Sequence, residues 1–511
     1  MKRTLWIAGL GVALAGAAIL AACGGGSGGS SMTSSSTGSS MGGASGMITG
    51  FGSVFVNGQE FKTDGNTQLL DGDNDDAAAS DSDLMVGMTV DVDASGGKAT
   101  LLRFTSAVRG EVDAVDPVSS TITVLGQTVE VTSGTSFAGH VGNTAAGTTP
   151  MQLGDIAQGN YVVVFGYLEC AGSSCSSGAT NIVATLIVEP ASIGKYRVQG
   201  YVTNTSGSGK SFTINGLTVD IATSTVCNTM MHCTFANGDF VAARSATAPT
   251  GTFPTSLTLA ADDVKLRPIA PTFAAGTTVT IEGPVTQLNG TNFNVRGISI
   301  DASGVASVAS MLSNNQIVEV TGTISSNGTL VATSIDVERA ATFLLMGSVD
   351  SVSANGFSVL GQSFTVNAST RVGDWVQAVR PFNSSNFATV LMTGDQVIVS
   401  GYPSGGSNIA TRVELIPTPA APTAAVAGIV SSDNSMMDTM TVVPGITVTL
   451  NSSTKLFYFG EGSNPTLAGF FGAITPNTSV AAAIGPPGAM TGTITAADAG
   501  ALKVPPGDWM R

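Results

Sequence analysis

One short pattern recurs six times along this chain, and it constrains the fold more than any other feature. Its clearest copy is Thr121-Ile122-Thr123-Val124-Leu125-Gly126-Gln127-Thr128-Val129-Glu130-Val131. Apolar Ile122, Val124, Val129 and Val131 alternate with polar residues on both sides of a glycine-containing turn. Period-two alternation about such a turn encodes a β-hairpin with one buried face. Aligned on the glycine, the pattern returns at Val54, Val56, Gly58 and Phe61, then at Phe212, Ile214, Gly216, Val219 and Ile221. Further copies are Phe293, Val295, Gly297 and Ile300, and Phe357, Val359, Gly361, Phe364 and Val366. A weaker one lies at Val443, Gly445, Val448 and Leu450.

Each later hairpin is preceded by an apolar-x-Gly-x-Val strand, at 108–112, 198–202, 281–285, 345–349 and 426–430. A strand entered from Gly159-Asn160 or Gly394-Asp395 follows, and Ile317 to Val320 takes the same place. Closing strands run at 182–185, 330–333 and 409–411. About five short strands in roughly 65–90 residues indicate a small barrel or sandwich. Closure removes the two exposed edges of a five-stranded sheet, so the expected class is all-β, in tandem small five-stranded antiparallel barrels. The variable insert between the third and fourth strands, as at 132–158, makes each unit OB-like. The expected units are 47–106, 107–190, 196–268, 276–339, 343–417 and 426–511. The sixth reads as degenerate, with apolar glycine-rich sequence over 467–488 where its last strands belong, and a tail. Proline-bearing connections at Glu189-Pro190, 267–271 and 417–422 separate the units, because proline does not continue a ladder.

Composition agrees. Glycine is 64 of 511 residues, only 11% are charged, and 43% are hydrophobic, which excludes wholesale disorder and leaves few charges for solvated helix faces. A net charge of −15 opposes a phosphate-backbone surface, so no nucleic-acid partner is expected.

Lys2 and Arg3 precede the apolar run Leu5 to Leu20, a signal-peptide pattern. Leu20-Ala21-Ala22-Cys23 resembles a bacterial lipobox, which implies a signal peptide over 1–22 and lipidation (palmitate-type acylation) of Cys23. By the same resemblance Gly24 implies sorting to the outer membrane, facing the periplasm or the surface, with membrane lipid as the first partner. Residues 23–46 then read as the lipidated cysteine and a Gly/Ser-rich tether, which holds the folded part roughly 25–30 Å from the lipid.

The stretch Ile48-Thr49-Gly50-Phe51-Gly52-Ser53-Val54-Phe55-Val56-Asn57-Gly58-Gln59-Glu60-Phe61 resembles the first copy of a tandem domain of unknown function, number 5666 in its series. The Val-Leu-Gly-Gln-Thr-Val hairpin and the Val-Ala-Thr closing strand are similar to its later copies, and the resemblance covers most of 47–417. That family occurs in bacterial lipoproteins and brings no activity or catalytic residue with it.

Candidate chemistry is sparse. Cys170, Cys175, Cys227 and Cys233 form two local pairs in different units, expected as the disulfides 170–175 and 227–233. His232 adjoins Cys233, but one histidine and Cys-x5-Cys lack the four-ligand spacing of a zinc site. Asp71, Asp73 and Asp75 begin like a calcium loop, which then fails: Asp76 stands where glycine belongs and Ser82 where glutamate does. A serine triad has only His140 or His232 to draw on and no nucleophile elbow, so no catalytic residue and no cofactor are expected. Tyr161, Tyr167, Tyr201 and Tyr402 lie in or beside strands, as rim packing or as stacking platforms for sugars. The expected function is a non-catalytic envelope array, spacer or multivalent binding surface, for an envelope protein or a polysaccharide. Two alternatives are a membrane-embedded β-barrel, opposed by the scattered Trp6, Trp375 and Trp509, and an enzyme or carbohydrate-binding protein whose site is not readable from sequence.

Overall fold

The computed structural model describes residues 41–116, 119–132, 134–139, 153–170, 175, 180–207, 209–228, 233–374, 381–418, 421–458, 466–477, 479–488 and 490–503. Regular structure there is almost wholly strand, and no helix is long and apolar enough to cross a membrane.

The second unit shows the plan. Its strands are Val108–Asp116, Thr121–Val124, Gln127–Glu130, Tyr161–Cys170 and Thr180–Glu189. The first pairs antiparallel with the second and the fourth, the fourth with the fifth, and the fifth runs parallel to the third. The order 1-2-3-5-4-1 closes the barrel in the OB manner, with one of its pairings parallel. The fourth and fifth units close identically. In the third unit the bridge Thr203↔Thr213 links first and second strands, and in the first Lys62↔Lys98 links third and fifth. The first strand of the chain, Gly43–Phe51, begins inside the segment read as tether, because Gly43 to Gly46 already pair with Val90 to Asp93.

Sequence alternation sets what is inside. Ile122, Val124 and Val129 are fully buried while Thr121, Thr123, Thr128 and Glu130 between and beside them are only half-buried. Leu125 and Gly126 both have positive φ, 50° and 71°, which fits a primed two-residue hairpin turn. The glycine of the first strand has a packing reason: a Cβ on Gly110 would stand 2.6 Å from Leu125 Cγ, because the strand passes under the hairpin tip. Just beyond it the ladder slips between Val112 and Ala114, and the bulge lets one strand serve both halves of the barrel.

The sixth unit is not degenerate in structure. Ala424–Asn434, Thr439–Val442, Ile446–Thr449 and Ser479–Gly485 take the first four positions. The fifth is split into Thr493–Thr495, parallel to the third strand, and Asp498–Lys503, antiparallel to the fourth. Small apolar residues hid these strands because alanine and glycine carry little alternation signal.

A threonine recurs where the third strand leaves the barrel. Thr67, Thr135, Thr225, Thr370 and Thr454 each donate to an alanine carbonyl of the fifth strand, at 2.7–3.0 Å. Each hydroxyl also accepts from the backbone N–H three residues earlier. The fourth unit puts a short helical turn, Ser303–Ala309, in this place instead.

The units are not beads on stiff linkers. Their first strands pair: unit 1 runs parallel to unit 4 through Gly43 to Ser45 and Val279 to Ile281. Unit 2 pairs antiparallel with unit 3 at Arg109↔Arg197, and unit 5 with unit 6 over Phe343 to Met346. One core runs continuously from unit 1 to unit 3, a second joins units 5 and 6, and unit 4 keeps its own.

Candidate functional site

The acidic loop of unit 1 is held by cations of its neighbours. Asp73, 4% exposed, faces Arg197 Nε of unit 3 at 3.2 Å and Arg109 Nη1 of unit 2 at 3.5 Å, and accepts from the Ser106 N–H at 3.0 Å. Asp75 is bonded by Arg244 and Lys265 of unit 3. Burial alone would raise the Asp75 carboxyl, but the hydrogen bonds from Lys265 and Arg244 outweigh it and bring it to about 2. Burial and the charge of Asp73 push Asp71 upward. Guanidinium and ammonium groups thus pair with two of the three alternate aspartates, Asp73 and Asp75. The loop joins three units as an ionic clasp.

Beside this clasp, units 1, 2, 3 and 4 enclose a cleft of about 570 Å³. That is within the usual size of small-ligand sites. Unit 1 contributes Asp91, Asp93, Leu101 and Arg103; unit 2 contributes Tyr167 and Leu168; unit 3 contributes Arg197, Gln199, Tyr201, Phe240 and Arg267. The proline-rich connection Pro268 to Pro271 runs along its wall with Phe273, and unit 4 adds Gln287, Asn294 and Arg296. Arg103 pairs with Asp76 at 2.8 Å, and Arg296 with Asp91 at 3.3 Å. Arg296 also sits 5.7 Å over the Tyr167 ring, whose hydroxyl donates to Glu282 at 3.0 Å. Glu282 is buried, so desolvation, then the carboxylates of Glu338 and Glu319, push it well above the usual carboxyl range.

The residues singled out from sequence scatter around this cleft. Tyr167 and Tyr201 line it, Tyr201 edge-on to Phe240 at 5.1 Å. Tyr161 is core, edge-on to Tyr196 with its hydroxyl on the Lys195 carbonyl, and Tyr402 lies under Arg339. Cys170–Cys175 and Cys227–Cys233 are both disulfides, and Cys175 lies at the cleft. Cys23, His140, His232, Trp6, Trp375 and Trp509 fall outside the described residues. Sequence reasoning passed over Arg197, Arg267 and Arg296. Only their scarcity marks them, since four of the chain's twelve arginines converge on this one cleft.

Fold and cleft together define a tandem-barrel repeat protein with an inter-unit pocket and two local disulfides. The domain of unknown function DUF5666 matches at residues 45–101, 109–174, 199–253, 282–336 and 346–414, and the chain belongs to this family. The five matches coincide with the first five barrels, so the sixth shares the architecture without matching the family pattern. No curated protein shows significant similarity to the chain.

Proposed function

We propose that this is a non-catalytic binding protein of the bacterial cell envelope, anchored through acylated Cys23, whose docked barrels build one recognition cleft. The observation that carries this reading is the cleft itself. Its walls come from four units held by strand pairing and buried ion pairs, so it exists only in the assembled array. This departs from repeated weak sites on separate modules, because no single barrel carries the pocket. The lining mixes aromatic faces, amides and guanidinium groups, which suits a polar ligand such as a saccharide.

A glycan array probed with the full chain tests the reading against Leu101→Trp, which places a large ring in the cleft from the outer face of a strand. Saccharide capture by the wild type and its loss in the variant are expected. Equal capture by both refutes the cleft. For the anchor, labelled palmitate is expected on the wild type and not on Cys23→Ser, which leaves the membrane fraction.

A further inference from the structure

Of the cations lining the cleft, three already face a carboxylate: Arg103 meets Asp76, Arg197 meets Asp73, and Arg296 meets Asp91. Arg267 is different. Its Nη2 donates to the Gly72 carbonyl at 3.2 Å, its Nε is buried without an acceptor, and no carboxylate among the described residues pairs with it. Its backbone is fixed as well, because its N–H donates to Phe240 at 2.9 Å and Pro268 follows it. A guanidinium held in a partly buried wall without a counter-charge is poised for a planar anion.

The surrounding groups define what carries that anion. Tyr201 and Phe240 offer an aromatic edge pair on the same wall. Gln199 accepts from Arg197 at 3.0 Å, and its amide N–H groups meet no acceptor among the described residues, while Asn294 and Gln287 are paired opposite at 2.9 Å. Amides bond vicinal hydroxyls, and aromatic faces cover the C–H side of a sugar ring. Exposed Asp93 on the facing wall repels a ligand that is anionic throughout, but it accepts hydroxyl donors.

Building on the binding role proposed above, we propose that the cleft binds an acidic saccharide, with the sugar carboxylate on Arg267 and its hydroxyls on the amide wall. Titration calorimetry of the full chain with a trisaccharide carrying one terminal galacturonate on two neutral galactoses, and with the all-neutral galactose trisaccharide, tests it. The acidic probe is expected to bind at least about ten-fold more tightly, the worth of one charge-assisted bidentate contact. Arg267→Gln is expected to abolish that preference by weakening binding of the acidic probe at least about ten-fold. Arg267→Lys keeps part of it, and Arg339→Gln, outside the cleft, keeps all of it. Equal affinity for both probes, or an unaltered preference in Arg267→Gln, overturns the acidic ligand; if Leu101→Trp still blocks that binding, the cleft reading survives. Binding that Leu101→Trp does not touch, or no binding of either probe, overturns both.

Discussion

Arg197 is 1% exposed, and its charge is balanced by Asp73, itself buried at the meeting of three units. Replacing Asp73 with Asn strands that guanidinium in a poorly solvated place, and breaking one half of a buried pair costs about 3–5 kcal/mol. Asp76→Asn removes a half-exposed partner of Arg103, where about 1 kcal/mol or less is expected. Chemical denaturation of the two variants checks the contrast, and equal losses contradict it. A second residue-scale consequence is pH dependence. Burial raises Glu319 from the usual 4.5 to about 7, against the opposing hydrogen bond from Thr280. Between those values the folded state binds the extra proton, so stability falls as pH rises through this window and levels off above it. The change is on the order of 3 kcal/mol at most. Thermal melts from pH 5 to 8 read it, and Glu319→Gln is expected to flatten the slope. Neither effect was legible beforehand. Alternate aspartates suit a calcium ion and a set of guanidinium groups equally, and the cations that pair with Asp73 and Asp75 lie at 109, 197, 244 and 265, in other units.

At the scale of elements, the sequence spoke clearly wherever a period and a turn coincided. The hairpins around Gly126 and Gly361 are where the alternation put them, because burial of every second side chain is a local property of a strand. The first-strand glycine was visible as a pattern, but its cause is the hairpin tip above it. Gly110→Val therefore forces branched carbons into Leu125, for a loss of about 1–3 kcal/mol, while Gly65→Ala, with open space around it, stays within about 0.5 kcal/mol. Matching losses in urea midpoints sink this account. The recurrent threonine escaped notice because its partner is a carbonyl, which leaves no trace in residue type. Thr370 donates to the Ala410 carbonyl at 2.7 Å in a buried setting and accepts from the Asn367 N–H at 3.0 Å in a part-buried one. Thr370→Val keeps the shape and drops both bonds, so about 1–3 kcal/mol of stability is expected to go. Thr389→Val, exposed on a short helical turn, serves as the control.

For the whole molecule, the number of barrels was legible and their arrangement was not. Pairing of first strands depends on outer-face residues, and a strand's second edge gives the same local pattern whether water or another barrel covers it. Units 5 and 6 show what that edge is worth. Phe343 to Met346 pair antiparallel with Ala425 to Gly428, and Met346, Ile398 and Ile416 form a small apolar cluster at the join, with Leu344 and Ala425 against it. A chain ending at 417 keeps a complete fifth barrel but uncovers an unpaired strand with that apolar flank. Such an edge is a template for another chain. The truncated protein is therefore expected to self-associate with concentration in light scattering, and Leu344→Lys, which places a charge on the freed edge, to restore the monomer. If the truncated chain stays monomeric without that charge, the pairing between these two barrels contributes little, and the sixth unit has some other task than sealing the array.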